Sequence, residues 1–589
     1  MNIAVTGEGI ICAIGADKAS VLSSLRQQQT GIGEMRYLRS SHHELPVGEV
    51  KFSNEEMAAQ LNLPADPLMS RTALMGMLAV RQALLEAQVN NALVNRESLR
   101  VFLISGTTVA GMDITERYFS EIQQSDEHLA CLKTHNAGAD TQVIADYFGL
   151  FREYTTISTA CSSAANALIL GANLLKAGEA DIVVAGGTEA LSVFHLNGFN
   201  SLMILDQQQC RPFDDTRAGL NLGEGAAFVV LESAETARQR GVEPHAWLSG
   251  YGNACDAFHQ TASSENGEGA YLAMTEALTM AGLSAQDIQY VNAHGTGTPN
   301  NDQSESAALK RVFGDQIPLV SSTKSFTGHT TSASGSIEAV ICILALQHQF
   351  VPANLGWQHP MADGIIPTLG EDHAHLQNVL CNAFGFGGND SSIVFTADKS
   401  NHNSPLSIVH SPLSTLAEVE ITSEDQLDEI RDYVKPLEAR RMGKLMKASL
   451  LSSLKALKEA GVETPDAIIT GTALGCWENS EALLRQIEEE GEVMLKPTYF
   501  MQSTHNTISS NIAIRTHCHG YNVTYTQEGD SFTWALRDAR LLLQSGKVKT
   551  VLVGCHEETT PLYRSLMERL GICDLPAIHS KAVVLSCGE

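Results

Sequence analysis

Short apolar runs alternate with longer amphipathic segments through the first 397 residues. The runs Asn2–Thr6, Val101–Ile104, Tyr154–Ser158, Asp181–Ala185 and Ala226–Leu231 are flanked by glycine and predict strands buried on both faces. Between them, Thr72–Ala87 and Ser163–Ala177 predict helices, the second closed by Gly178 as a C-terminal cap. Strands alternating with helices of this length imply an α/β sheet fold. The opening MNIAVTGEGIICAIG lacks a basic leader region and turns at a glycine after a few residues, so it predicts a first buried strand and not a secretory signal.

A polar stretch, Asp398 to Pro405, interrupts the alternation and predicts a linker between residues 1–397 and 406–589. The second part repeats the first. Ser105-Gly-Thr-Thr-Val-Ala-Gly returns as Thr470-Gly-Thr-Ala-Leu-Gly-Cys, and His135-Asn136 returns as His505-Asn506. The segment Leu174–Gly186 returns as Leu542–Gly554, and Ala227–Leu231 is echoed by Ala582–Leu585 near the end of the chain. Such repeats mean a duplicated structural unit. The copy stops near the counterpart of residue 235, so it amounts to half of the first fold.

Composition narrows the function. With 43% hydrophobic and 18% charged residues the chain can fill large cores. A formal net charge of −28 argues against nucleic-acid binding, which needs clustered Lys and Arg, and against an anionic membrane surface. An acidic protein partner would need a local basic patch. Arg440-Arg441-Met-Gly-Lys444-Leu-Met-Lys447, on a predicted helix, and Arg71 are candidates, although a solvated face accounts for such a cluster more often. Twelve cysteines without a C-x-x-C pair suggest reduced thiols of a cytoplasmic enzyme, and no apolar run is long enough to span a membrane.

Four motifs carry chemistry. In Ser158-Thr-Ala-Cys161-Ser-Ser-Ala a strand ends just before a small-residue helix, and a cysteine at a helix N-terminus should have its pKa lowered below about 8.5, giving a nucleophilic thiolate. Asn292-Ala-His294-Gly-Thr-Gly-Thr-Pro-Asn-Asn-Asp302-Gln-Ser-Glu305 delivers a histidine into a Gly/Thr turn after the strand Tyr290–Asn292. Ser321-Ser-Thr-Lys324-Ser-Phe-Thr-Gly-His329 places Lys324 and His329 in a loop after the strand Pro318–Ser322. Asn382-Ala-Phe-Gly385-Phe386-Gly387-Gly388-Asn389 is a flexible backbone turn.

As a set, in this order and spacing, these motifs resemble the elongating β-ketoacyl-(acyl carrier protein) synthases of the thiolase superfamily. The resemblance covers residues 1–397 and includes Arg211-Pro-Phe-Asp and Gly223-Glu-Gly-Ala-Ala. It implies a layered αβαβα fold of two pseudo-repeated halves, here followed by a half-thiolase domain. It implies a nucleophile at Cys161, with His294 and His329, as neutral or transiently cationic donors, stabilising an enolate. The backbone N–H groups of Cys161 and Phe386 would form an oxyanion hole, and Phe386 with Gly387 would gate the acyl pocket. Lys324 paired with Glu338 would give electrostatic support, while Asp302 and Glu305 would hold the His294 loop. No cofactor or catalytic metal is implied. The partners implied are acyl carrier proteins bearing acyl and malonyl groups, and a second copy in a homodimer. Initiating synthases use one His and one Asn, and degradative thiolases a second Cys, so the His–His pattern favours decarboxylative elongation.

The chain departs from the family at Thr330-Thr331-Ser332, where apolar and small residues are usual, which bears on acyl specificity. In the C-terminal copy the nucleophile position falls on Glu528 or Gly529, so this half resembles a truncated chain-length factor. The alternative function is accordingly a non-catalytic partner of another synthase.

Overall fold

The computed structural model describes residues 2–398 and 412–587. Of the expected linker, residues 399–405 lie outside the described residues. The strands of the first part are β1 (Ile3–Cys12), β2 (Val101–Gly106), β3 (Glu153–Ile157), β4 (Ile182–Glu189), β5 (Gly225–Ser233), β6 (Ala246–Cys255), β7 (Tyr290–Asn292), β8 (Leu319–Ser321), β9 (Asn378–Gly385) and β10 (Asn389–Thr396). After the linker follow β11 (Leu413–Ile421), β12 (Ala467–Gly471), β13 (Tyr521–Tyr525), β14 (Thr550–Glu558) and β15 (Ile578–Cys587).

All are joined in one sheet, ordered β11-β15-β14-β12-β13-β3-β2-β4-β5-β1-β6-β10-β9-β7-β8. That order is one five-strand topology used three times, twice in the first part and once in the second. The helices Ser163–Lys176 and Ser334–His348 are buried along most of their length and pack together in one core between the first two units. Arg71–Glu86 covers the opposite face of the first unit, and Glu268–Ala281 that of the second. This is the layered thiolase arrangement.

β1 runs on past the glycine at which the sequence predicts a turn. Gly7 and Gly9 are needed within it for close packing, since a Cβ on Gly9 would lie 1.9 Å from the Ala79 carbonyl oxygen of the covering helix.

The third unit docks edge to edge on the first. Tyr525 pairs antiparallel with Ile157, and each is the other's counterpart in the repeat, so a pseudo-twofold axis passes between them. Ser158 N–H donates to Thr524 O at 2.9 Å and Thr526 N–H to Thr156 O at 3.0 Å. Arg537 and Arg540 bind Glu179 at 2.6 and 2.5 Å, and Trp534 meets Phe102 edge-on. The edge of β3, which would otherwise be open to another chain, is thereby closed within this chain.

Beneath the junction, Asp538 is fully buried and accepts the hydroxyls of Tyr521 and Tyr525, each at 2.9 Å. Burial pushes its carboxyl up to about 6, opposed by those hydrogen bonds. The folded value exceeds the unfolded one, so the group's contribution to stability is complete below about pH 4 and is lost as pH rises through about 6. Asp538→Asn should therefore raise the melting temperature near pH 7.5, by an amount equivalent to about 3 kcal/mol, and by about a third as much near pH 4.5. An equal shift at both pH values would show that Asp538 is not the titrating group.

Candidate active site

Cys161 lies in a tight turn, Ala160–Ser162, immediately before the helix Ser163–Lys176. Ala160 holds φ +53°, the left-handed conformation that aims the cysteine inward. Hydroxyls and amides fix the turn: Thr159 N–H donates to Ser163 Oγ at 2.9 Å, and Ser162 Oγ and Asn166 Nδ2 both donate to Asn389 Oδ1 at 2.9 Å. The turn that follows His329 repeats this geometry, with Thr331 at φ +45° ahead of the helix Ser334–His348. One device, used in both halves of the fold, brings the two motifs face to face.

His329 Nε2 lies 3.1 Å from Cys161 Sγ, and the His294 and His329 rings meet edge-on with centroids 5.2 Å apart. The sulfur and one nitrogen from each ring lie within 4.8 Å of one another. Such a donor set would also suit a thiophilic ion such as zinc, which would block the thiol. The His294 loop is held by Glu305, which accepts the N–H groups of His294 at 2.9 Å and Gly295 at 2.7 Å. Asp302 accepts Phe213 N–H at 2.8 Å and Gly297 N–H at 3.2 Å. Lys324 Nζ contacts Glu338 Oε1 at 2.5 Å, both side chains being almost wholly buried. Gly387 sits at φ +84°, and its N–H donates to Gln260 O at 2.7 Å.

Burial, with Lys324 and the neighbouring histidines adding to it, holds both His294 and His329 well below the usual imidazole value. Both are therefore uncharged in the resting site at neutral pH. The thiol behaves otherwise than the helix N-terminus alone predicts. Burial pushes Cys161 up to about 12, and Lys324 and the Phe386 N–H offset this only in part. The resting group is a thiol, and its proton must leave as the new bond forms.

The structure also shows polar partners absent from the sequence reading. Thr107 donates to the buried Glu189 at 2.8 Å, and Ser332 donates to it at 2.5 Å, with the Thr108 and Thr331 hydroxyls in the same group. The departure from the family at Thr330–Ser332 thus supplies hydroxyls to a buried carboxylate near Cys161. Arg71 is buried and binds Glu224 at 2.7 Å together with the Val50 and Phe52 carbonyls, so it is a structural ion pair and no carrier contact. Arg440 and Arg441 are exposed in a turn and not on a helix; Lys444 opens the helix Lys444–Ala460 and pairs with Glu424 at 2.8 Å. Cys518 donates to Pro465 O at 3.1 Å and His519 Nδ1 meets Cys255 O at 3.0 Å, both in structural positions.

The model of the beta-ketoacyl synthase N-terminal domain matches residues 1–237 and again 387–576, and that of the C-terminal domain matches 245–358. The chain belongs to the beta-ketoacyl synthase family. Among its relatives, nodulation protein E of Rhizobium meliloti (strain 1021) is 33% identical over 407 residues, which is 67% of this chain and 98% of that protein. The 3-oxoacyl-[acyl-carrier-protein] synthase 2 of Vibrio cholerae is 31% identical over 415 residues, with the same shares. The solved PfaC keto synthase–chain length factor matches over 100% of this chain and 78% of its own, with a TM-score of 0.79 at 17% identity, a likeness of fold. Both curated relatives cover about two thirds of this chain, and the second match of the N-terminal model adds residues 387–576 as a further family segment.

In the C-terminal unit, the turn Glu528–Asp530 precedes the helix Ser531–Gln544, and Glu528 holds φ +44° as Ala160 does. The counterpart of Cys161 is therefore Gly529. No helix among the described residues is long and apolar enough to cross a membrane.

Proposed function

We propose that this synthase condenses a Cys161-bound acyl group with a malonyl unit, both delivered by acyl carrier protein. The observation that carries this reading is the convergence of Cys161, His294 and His329 at the junction of two helix N-termini. The Cys161 sulfur attacks the carrier thioester and a C–S bond forms as the carrier C–S bond breaks; His329 Nε2, 3.1 Å away, takes the sulfur's proton and passes it to the departing carrier thiolate. A malonyl thioester then loses carbon dioxide, leaving an enolate whose oxygen is met by the ring nitrogens of His294 and His329. Its carbon attacks the acyl–Cys161 carbonyl. The oxyanion that forms rests on the N–H groups of Cys161 and Phe386, and collapse expels the Cys161 thiolate with the ketoacyl product on the carrier.

Phe386 and Gly387 act as the gate, Lys324 with Glu338 as electrostatic support, and Asp302 with Glu305 as clamps of the His294 loop. We assign residues 1–397 to the synthase domain and 406–589 to a half-domain that serves as its partner in cis, standing on the β3 edge where a second copy would pair. Any homodimer must use another surface. Twelve unpaired cysteines support a cytoplasmic location.

The test is release of carbon dioxide from a malonyl-carrier protein in the presence of an acyl-carrier primer, together with the ketoacyl product. Product supports the reading. Its absence with several primers and carriers would favour a non-catalytic partner of another synthase.

A further inference from the structure

The turn Phe386–Gly388 is held from three sides. On one side it follows Gly385, packed so closely on the Cys161 turn that a Cβ there would stand 3.2 Å from Cys161 N, and on the second the loop after β6 holds it through Gly387 N–H to Gln260 O at 2.7 Å and Asp256 N–H to Gly388 O at 2.7 Å. The third side comes from the C-terminal half-domain. Asn506, fully buried, donates from Nδ2 to Phe386 O at 2.8 Å. Asn506 precedes the helix Thr507–Thr516, and the next turn of that helix brings Ser510 against Gly387. The contact is so close that a Cβ on Gly387 would stand 2.0 Å from Ser510 Oγ. The next residue, Asn511, accepts Gln260 Nε2 at 2.8 Å, so the same helix also holds the loop that grips the gate. The Phe386 ring stacks on Phe199 at 5.6 Å, and Phe199 packs on the half-domain's Phe500 at 5.1 Å.

Two atoms in this contact have no partner although both are buried, namely Asn506 Oδ1 and Ser510 Oγ. Leaving such groups unpaired is costly, and it is explained when they are partners in a second arrangement. Rotation of the Phe386–Gly387 peptide would shift the turn that carries the Phe386 ring, and it would break the bonds from Asn506 Nδ2 to Phe386 O and from Gly387 N–H to Gln260 O. The rotated peptide turns an N–H toward the half-domain, where Asn506 Oδ1 and Ser510 Oγ can accept it.

We propose that Asn506 and Ser510 form a two-position latch through which the half-domain sets how readily the gate over Cys161 opens. Both are positioning residues. Asn506 Nδ2 holds the closed turn, and the two oxygens receive the open one. The inference rests on the reading of Phe386 as a gate, but its test does not depend on condensation.

The experiment measures alkylation of Cys161 by iodoacetamide in the full chain, followed peptide by peptide by mass spectrometry so that the exposed Cys573 is counted separately. Asn506→Ala removes the closed-state bond while Ser510 Oγ remains to receive the open turn, so it should raise the Cys161 rate severalfold. Ser510→Ala leaves the closed bond intact and removes an acceptor from the open state, so it should slow alkylation severalfold. Arg569→Ala breaks an ion pair with Asp126 elsewhere on the junction and should leave the rate unchanged. If Asn506→Ala is poorly folded, the Ser510→Ala result decides. Rates within twofold of native for both variants, or an equal rise in Arg569→Ala, would overturn the latch. Native protein that is alkylated at Cys161 yet forms no ketoacyl product would count against the synthase reading and leave the latch standing.

Discussion

Cys161→Ala will release carbon dioxide from a malonyl thioester and yet form no ketoacyl product, at least about a thousandfold below the native protein. Decarboxylation needs charge stabilisation on the thioester oxygen, which the His294 and His329 rings, 5.2 Å apart, still provide when the sulfur is gone. Condensation needs the acyl group held covalently, and no other cysteine lies in the cluster with the two histidines among the described residues. His329→Ala should instead lose both steps, because that ring serves the enolate and stands 3.1 Å from the sulfur. The pH profile follows from the same site. Burial pushes the thiol up to about 12, and both imidazoles are already neutral. Acylation of native Cys161 should therefore climb with pH through about 9 without levelling near the ordinary thiol value. A plateau near pH 7 would mean that the helix N-terminus outweighs burial. Product from Cys161→Ala equal to native would remove the nucleophile assignment altogether.

The cluster of Cys161, His294 and His329 was legible because each of its motifs follows a strand and carries a turn, and such turns need particular residues at fixed spacing. Cys161, His294, Lys324, His329 and the Phe386 turn converge from four motifs separated by more than a third of the chain. The pKa of Cys161 was not legible. A helix N-terminus can be read from Ser162 and Ser163, whereas the depth of burial depends on the helix Ser334–His348 and the Phe386 turn closing over the sulfur. Arg71 misled for the same reason: its charge is visible in sequence and Glu224, 2.7 Å away, is not. The repeat of His135-Asn136 as His505-Asn506 marked the right place in the half-domain without giving its role, since the contact from Asn506 to Phe386 O crosses between units. The strand pairing between β13 and β3 was legible only as a duplicated segment; the edge it occupies follows from the fold.

Deleting residues 406–589 will leave a synthase domain that is insoluble, or recovered only as a self-paired dimer, with activity reduced at least about a hundredfold. The half-domain covers more than a strand edge. Trp477, Phe500 and Tyr563 share one buried cluster with Phe119, Phe194 and Phe199 of the first part, and Trp534 packs on Phe102. Each such ring contributes about 1.5–3 kcal/mol on burial, so removing the four withdraws an amount comparable with the whole stability of an ordinary domain. Gly198 shows how tightly the surfaces fit, because a Cβ there would stand 2.1 Å from the Phe500 ring. The deletion also bares the backbone of β3, including the Thr156 carbonyl and the Ser158 N–H now paired with β13, and an open strand edge beside an apolar face invites pairing with another chain. Activity falls for a separate reason, since Ser158 Oγ loses its 3.0 Å bond to His505 Nδ1 and the Phe386 turn loses Asn506. Co-expressing residues 406–589 as a separate chain should restore solubility and part of the activity, which aggregation alone would not allow. Sedimentation and product analysis decide the matter: a soluble, monomeric truncation with native rate and native product length would mean that the half-domain is a passenger on the β3 edge.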